Sequence, residues 1–315
     1  MKGKSQRRAA VSNLTIKFLL AINSLFPVSP NLREIHQAKA SVAEYQRWER
    51  QELARVAASF GPFWNLSGKD VLDLGCGLGG KTVAYATLGA HSVTGLDLRS
   101  YSLQTAAEEN RLDNSDPSTV RFCLSDAAHM AFADGSFDVI ISINVLEHVD
   151  DLYFTLRECK RVLRPGGVML FHFPPFYSPW GAHLEGWINF PWPHVFFSDR
   201  TLIQAAHRIE LQQRRNTDYI PTAQVKWSEM TRLPELNRVT AQQFQHLLST
   251  LRLQVLEQKM LPLGYNYFAR PGPFHPQILS LLQRLAWTPV AREVVTTKMT
   301  WVLAQATALE GDRDE

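Results

Sequence analysis

The chain has 315 residues, 45% of them hydrophobic and 20% charged, with 33 Lys and Arg against 30 Asp and Glu for a formal net charge of +3. These values exclude an intrinsically disordered chain, a collagen-like repeat and a coiled-coil rod, and the length suits one large domain or a core with additions. The charge is uneven: residues 1–50 hold nine basic and three acidic side chains, which leaves the other 265 residues at −3.

The sequence starts with Lys2, Lys4, Arg7 and Arg8 ahead of an apolar run, Leu14 to Val28, that Lys17 and Asn23 interrupt. The run is too short to span a bilayer and no clear small-residue cleavage site follows, so it predicts a helix docked on the body with a basic tip. Residues 1–28 also have the composition for a peripheral contact with an anionic membrane surface. From Asn31 to Phe60 the apolar positions Ile35, Ala38, Val42, Tyr45, Trp48 and Val56 recur at mostly helical steps, and Gly61 and Pro62 end the pattern.

Strand candidates follow at Val71–Leu74, Ser92–Asp97, Val120–Leu124 and Phe137–Ile143, with helical stretches at Lys81–Leu88, Ser102–Arg111 and Asp151–Leu163. Gly166 and Gly167 punctuate a turn into a fifth strand, Val168–Phe173. Near-continuously apolar strands separated by helices predict a parallel sheet covered on both faces. Residues 173–197 then hold nine aromatics and five prolines in 25 positions, too many for a helix or a paired strand. Thr240 is a suitable N-cap for a helix over Ala241–Leu251, and Leu253–Leu261 is predicted as strand. A Pro/Gly-rich loop (Pro262–Pro276), a helix near Ile278–Ala286 and a last strand at Met299–Gln305 complete the pattern. The expected organisation is an N-terminal extension over 1–60, a core over 61–174, an aromatic lid insertion over 175–239, the rest of the core over 240–305 with a second insertion at 262–297, and a tail over 306–315. Cys76, Cys123 and Cys159 form no C-x-x-C pair, so neither a disulfide framework nor a thiolate zinc site is expected, and a reducing cytoplasm is the expected compartment.

The strongest chemical signal is the run Val71-Leu-Asp73-Leu-Gly75-Cys76-Gly77-Leu-Gly79-Gly80, a strand entering a glycine turn that opens a helix. Gly75, Gly77 and Gly80 satisfy G-x-G-x-x-G and Asp97 closes the next strand, which is also the pattern of a dinucleotide site. Asp73 separates the two readings. A carboxylate close to a pyrophosphate would cost several kcal/mol at roughly 4 Å, whereas it suits a cationic ligand. S-adenosylmethionine (SAM) has an ammonium and a sulfonium at one end and a ribose and adenine at the other, so Asp73 and Asp97 would serve opposite ends.

On these residues the sequence resembles the class I SAM-dependent methyltransferases, in particular the bacterial group with V-L-D-[LVI]-G-C-G-x-G, over about residues 68–173. The resemblance implies a Rossmann-like, doubly wound α/β fold with a seven-stranded sheet whose last strand is antiparallel, carrying an N-terminal helical extension and lid insertions. It also implies SAM as cofactor and S-adenosylhomocysteine (SAH) as product. Gly75, Cys76, Gly77 and Gly79 would form the loop, and Asp97 with Leu98 would meet the ribose and adenine. Asp126 with Ala127, in Ser125-Asp126-Ala127, matches the adenine position. Asn144, in Asn144-Val-Leu-Glu-His-Val149, stands at the fourth strand's exit, where the family lines the methyl-transfer site. Arg161-Val-Leu-Arg-Pro-Gly-Gly167 matches the turn into strand five.

Transfer from a sulfonium needs alignment and exclusion of water, with a base only where the nucleophile arrives protonated. His148, His172, His183 and His194 fall within one stretch that begins at the expected transfer site, and His148, His183 and His194 are the candidate bases. Some quinone-pathway relatives carry Glu-x-x-Glu-His at this strand and bind a divalent ion; Asn144 replaces the first carboxylate, so no metal is expected. The aromatic insertion would form a lid, with Tyr177, Trp180, Glu185, Trp187 and Trp192 as candidate acceptor contacts. The expected activity is methylation of a small, apolar or aromatic acceptor, with O-methylation favoured. An RNA- or protein-directed enzyme and a non-catalytic SAM-binding scaffold are the alternatives, and nucleic acid is not the expected partner of a body at net −3.

Overall fold

Near-continuously apolar runs at Val71–Leu74, Val93–Leu96 and Val139–Ile143 are buried on both sides in the computed structural model, which describes residues 2–26, 41–112, 119–213, 227, 230, 233, 236–262 and 293–306. The strands are β1 (Asp70–Leu74), β2 (Ser92–Asp97), β3 (Val120–Leu124), β4 (Phe137–Ile143), β5 (Leu163–Phe173), β6 (Leu253–Pro262) and β7 (Thr296–Gln305). They form one sheet in the order β3-β2-β1-β4-β5-β7-β6. The pairs β1–β2, β1–β4, β2–β3 and β4–β5 are parallel, and β7 lies antiparallel to β5. The order reverses between β1 and β4, and open α/β sheets bind ligands at the C-terminal ends of strands on either side of such a point.

The helices are α1 (Lys2–Asn23), α2 (Val42–Phe60), α3 (Gly80–Thr87), α4 (Ser100–Leu112), α5 (Leu152–Val162), α6 (Pro193–Phe196), α7 (Asp199–Gln213) and α8 (Ala241–Thr250). The chain divides into two units: residues 1–40, 174–236 and 262–297, and residues 41–173, 237–261 and 298–315. The second unit holds the sheet. One face packs Leu53 and Phe60 of α2 and Ala84 and Tyr85 of α3 against Val71, Val139 and Ile141. The other packs Leu156 and Val162 of α5 and Phe244 and Leu248 of α8 against Leu72, Ile140, Phe171 and Trp301. The helix starts are set locally: Asp151 accepts from the Phe154 N–H at 3.1 Å, and Thr240 with Gln243 closes a reciprocal capping box, each cap stabilising by about 1 kcal/mol.

Several expectations are corrected. The helix predicted over 31–60 begins at Val42, because Ser41 is extended (φ −143) and its hydroxyl accepts from the Glu44 N–H; residues 31–40 lie outside the described ones. Its buried face is Gln46, Glu49, Leu53 and Phe60, rotated from the predicted stripe. By contact, residues 1–40 group with residues 174–236 and α2 with the sheet. Strand β5 begins at Leu163, so Gly166 and Gly167 lie inside it as an irregularity between the pairs Phe137–Leu163 and Val139–Val168. Gly166 takes φ +79, and a side chain on Gly167 would meet the Asp138 carbonyl at 2.7 Å. Arg164 fixes this corner through Asp70 and Asp138, at 2.8 and 2.7 Å. The helix predicted near 278–286 and the Pro262–Pro276 loop beyond Pro262 lie outside the described residues.

In the first unit, Ile16 and Leu19 of α1 are buried with Leu202, Ile203 and Ala206 of α7, together with Ala182, Leu184, Ile188, Trp227 and Leu233. The helix expected to dock on the body therefore docks on the 174–236 segment. Among the described residues no helix is long and apolar enough to cross a membrane.

Candidate active site

The glycine loop joins β1 to α3 with three left-handed residues, Gly75 (φ +76), Gly77 (φ +55) and Gly79 (φ +79). The N–H groups of Gly75 and Cys76 donate to the Leu96 carbonyl at 2.7 and 2.9 Å, tying the loop to β2. Space around the three differs. A Cβ on Gly75 would lie 2.4 Å from Val145, and one on Gly79 would lie 2.9 Å from Ala106 and Phe122, whereas a Cβ on Gly77 would meet nothing within 4 Å. Gly75 and Gly79 are therefore required by packing, and Gly77 leaves a space open at the tip of the loop.

Asp97 lies beside that opening. One carboxylate oxygen accepts from the Gly77 N–H at 2.9 Å and the other from the Arg99 N–H at 2.9 Å, so β2's last residue holds both the loop tip and its own turn. Leu98 next to it is 68% exposed. Beyond β3, Asp126 is exposed, accepts from the Ala128 N–H at 2.9 Å and has His129 at 3.6 Å, while Ala127 packs on the core.

Asp73 is placed differently from Asp97. It is 1% exposed, and its carboxylate accepts from the Thr82 hydroxyl at 2.6 Å. Burial pushes its pKa up to about 6 despite the opposing pull of Lys81 and Thr82. Lys81 forms a short contact with Glu49 of α2; burial works against its ammonium, but Glu49, Tyr45 and Asp73 outweigh that and its pKa is raised. Gln46, one turn earlier on α2, donates to the Leu78 carbonyl at 2.5 Å. A side chain on Gly80 would strike Glu49 at 2.6 Å and the Gln46 backbone at 2.8 Å. Lys81 thus pairs with Glu49 and at the same time lessens the cost of the buried Asp73 charge. Cys76 is fully buried, and burial together with Asp73 raises its thiol pKa, which keeps the sulfur protonated and leaves the backbone as its contribution to the loop.

At the exit of β4, Asn144 is exposed in the left-handed region (φ 57); its N–H donates to the His172 carbonyl at 2.8 Å and its side-chain oxygen accepts from Lys298 at 2.5 Å. Asn237 secures the following turn by donating from its side chain to the carbonyls of Leu146 (2.6 Å) and Val149 (3.0 Å) and from its backbone to Glu147 (2.9 Å). Glu147 is buried, which raises its pKa against the influence of Lys298 and His148. The His148 side chain is 35% exposed, with its Nε2 4.0 Å from Glu147. His172 is buried within the sheet, 3.2 Å from the Thr300 hydroxyl, and burial with Lys298 pulls its pKa down to about 3. It is neutral at ordinary pH and packed away as a structural residue.

Residues 72–171, the stretch from the glycine loop to β5, match the family described as a methyltransferase domain. Residues 72–171 therefore carry a methyltransferase domain. The chain is 35% identical over 126 residues to cycloartenol-C-24-methyltransferase of Arabidopsis thaliana (38% of this chain, 37% of that protein). It is 39% identical over 106 residues to ubiquinone biosynthesis O-methyltransferase of Albidiferax ferrireducens (34% and 41%). The chain thus spans less than half the length of these relatives. A SAM-dependent methyltransferase structure from Mesorhizobium loti shares the fold, with a TM-score of 0.51 and 17% identity over 80% of this chain and 96% of that one.

The methyltransferase domain has a donor set that fits SAM: an open glycine tip, a carboxylate beside it with further acceptor capacity, and an exposed apolar side chain at Leu98. The candidates of the other unit are scattered in role. Trp187 sits in that unit's own core, edge-on to Trp227 at 5.1 Å, and the Trp192 indole donates to the Val294 carbonyl at 2.8 Å. The His194 ring packs on Phe176 (4.8 Å between centroids) and Tyr177 (6.5 Å). His183 is left-handed (φ 51) in a turn closed by its N–H on the Trp180 carbonyl, Glu185 is half-buried, and Tyr177 is 45% exposed. Gln46, Glu49, Lys81, Thr82 and Asn237 hold the glycine loop and the turn after β4 in place, and the sequence did not single them out. The one usable signal was Gln46 and Glu49 falling in helical step with Leu53 and Phe60, two polar residues on a buried stripe.

Proposed function

We propose that the chain transfers the methyl group of SAM to a small apolar or aromatic acceptor, with oxygen as the favoured acceptor atom. The observation that carries the reading is the pairing of Asp97 with Gly77: an acid bonded to a loop tip whose side-chain space is open. An acceptor-only carboxylate at that point suits the two hydroxyls of a ribose and disfavours a phosphate. When bound, SAM supplies a methyl group on a positively charged sulfur, an intrinsically good leaving group. Asp97 would hold the ribose, Leu98 and Asp126 with Ala127 the adenine, and Asn144 the reacting end, while Asp73 braces the loop from beneath through Thr82. His148, on the turn that Asn237 secures, takes the proton from an acceptor hydroxyl at an imidazole nitrogen. Tyr177, Trp180 and Glu185 remain the candidates for acceptor contact, with Trp187 and Trp192 shaping the segment. The relatives' names include both an O- and a C-methyltransferase, which supports a small-molecule acceptor and leaves oxygen resting on the histidine. Cys76, Cys123 and Cys159 are unpaired, which suits a reducing compartment such as the cytoplasm.

Calorimetry with SAH and with NADH tests the site, and SAH release from SAM in the presence of fractionated cell extract tests the reaction. Heat with SAH alone, followed by SAH formation, supports the proposal. Heat with NADH alone overturns the cofactor reading, and SAH binding without turnover in any fraction returns the chain to a non-catalytic SAM-binding protein.

A further inference from the structure

Helix α1 has two apolar faces and buries one of them. Ile16 and Leu19 face the core that α7 helps to form. Asn23 locks the end of the helix: its side-chain oxygen accepts from the N–H groups of Asn189 (2.6 Å) and Phe190 (3.1 Å), and its amide donates to the Trp187 carbonyl at 3.0 Å. With the rotation fixed in this way, Leu14, Phe18 and Leu25 are 72%, 60% and 77% exposed, and exposed Ala21 completes a row at steps of four, three and four. The apolar surface continues past the helix. Phe26 packs edge-on to Phe190 at 5.4 Å, Phe190 lies 5.9 Å from Phe196, and Phe196 and its neighbour Val195 are 66% and 50% exposed. No described residue covers this face. A contiguous patch of large apolar side chains gains nothing for folding and marks an interaction surface.

Charge identifies the partner. The first acidic residue in the sequence is Glu34, and Lys2, Lys4, Arg7, Arg8 and Lys17 all precede it within α1. We propose that this face of α1 docks on the surface of an anionic lipid bilayer, with Leu14, Phe18 and Leu25 entering the headgroup boundary. The helix would lie in the plane of the interface, the position taken by a basic helix with an apolar face that is not apolar enough to span. A second copy docked through α1 would bring its own basic stretch and no acidic residue before Glu34 to meet the first. RNA would use the charge and leave the apolar row in water. The surface lies outside residues 72–171, so the proposal stands apart from the identity of the methyl acceptor.

The full chain is sedimented with vesicles of phosphatidylcholine alone and of phosphatidylcholine mixed with phosphatidylglycerol. Pelleting with the mixed vesicles alone, weakened by salt, is expected, and Leu14→Ser with Phe18→Ser should lower the partition at least about tenfold. Both positions are exposed, so the thermal midpoint should hold; should it fall, the single variants Leu25→Ser and Lys17→Glu must each lower pelleting. The proposal is overturned by equal pelleting on both vesicle types, by none, or by variants that pellet like the original chain. It is also overturned by a dimer, seen in light scattering, that the Phe18→Ser change dissolves, or by an RNA oligonucleotide that displaces the chain from vesicles.

Discussion

The backbone N–H of Gly77 donates to the Asp97 carboxylate at 2.9 Å across a sequence separation of 20 residues, so the acid proposed to hold the ribose also holds the tip of the glycine loop. Replacing Asp97 by Ala removes a charge-assisted acceptor from both roles and should weaken SAH binding by about 10- to 100-fold, the equivalent of a hydrogen bond to a charged group of about 1.5–3 kcal/mol. Asp97→Asn keeps an acceptor for Gly77 and should lose less. Calorimetry on the two variants separates them; equal affinity in Asp97→Ala and the original chain would remove Asp97 from the site.

The three left-handed glycines should respond differently to alanine. All three pay the backbone cost of a left-handed side chain, about 1–2 kcal/mol. Gly75→Ala and Gly79→Ala add collisions with Val145 and with Ala106 and Phe122, so both should lower the melting midpoint strongly. Gly77→Ala meets no neighbour, so it should melt only slightly earlier while losing SAH binding, as the new methyl fills the space left for ligand. Melting curves and calorimetry on all three check the contrast.

The strands and the loop were legible because each rests on local chemistry: near-continuous apolar runs for a sheet buried on both faces, and glycines where only glycine fits. The predicted limits of β2, β3 and β4 match the observed ones. What remained hidden depends on partners far along the chain. That Lys81, the second residue of α3, is buried close enough to act on Asp73 has no local sign, since a lysine in a first helical turn is ordinarily solvent-exposed. Gln46 and Glu49 fall on the polar side of α2 by hydrophobic periodicity, which treats every polar residue as exposed; the Leu78 carbonyl and Lys81 offset the cost of their burial. Asn237 gives no local sign that it will cap a turn 88 to 91 residues earlier.

The pH dependence of stability should carry two opposed contributions. Asp73 has a folded pKa of about 6 against an ordinary 3.8, so the native state binds the extra proton and stability falls as pH rises between these values. His172 has a folded pKa of about 3 against 6.5, so its contribution is complete above pH 6.5 and is lost as pH falls toward 3. Between about pH 4 and 6 the two offset one another. Asp73→Asn removes the first: at pH 7 it should stabilise by up to about 3 kcal/mol, from a shift of about two units, and below pH 6 its stability should decline more steeply than the original's. Urea unfolding from pH 4 to 7.5 measures both slopes.

The Glu49–Lys81 pair joins α2 to the first turn of α3 in a buried setting, where leaving one charge unpaired is the expensive change. Glu49→Ala should destabilise by about 3–5 kcal/mol and Lys81→Met should do comparable damage, while the double variant with Met at both positions should recover much of the loss. A thermodynamic cycle from denaturant unfolding supplies the coupling. Additive losses would mean that the two charges act independently, and the clamp on the glycine loop would then rest on Gln46 alone.

His148 carries the proposed proton transfer, and its position allows a clean test. It is partly exposed on a turn whose shape is held by Asn237 through backbone carbonyls, so His148→Ala leaves the supports of that turn in place. With a hydroxyl acceptor, kcat should fall about 10²- to 10⁴-fold, the usual contribution of a general base, while SAH affinity is unchanged. The loss should shrink as pH rises and the acceptor ionises without help. Asn237→Ala, in contrast, frees the turn and should impair both kcat and melting. If His148→Ala keeps most of its activity at neutral pH, the acceptor arrives already deprotonated or is not a hydroxyl, and the case for oxygen over carbon loses its support.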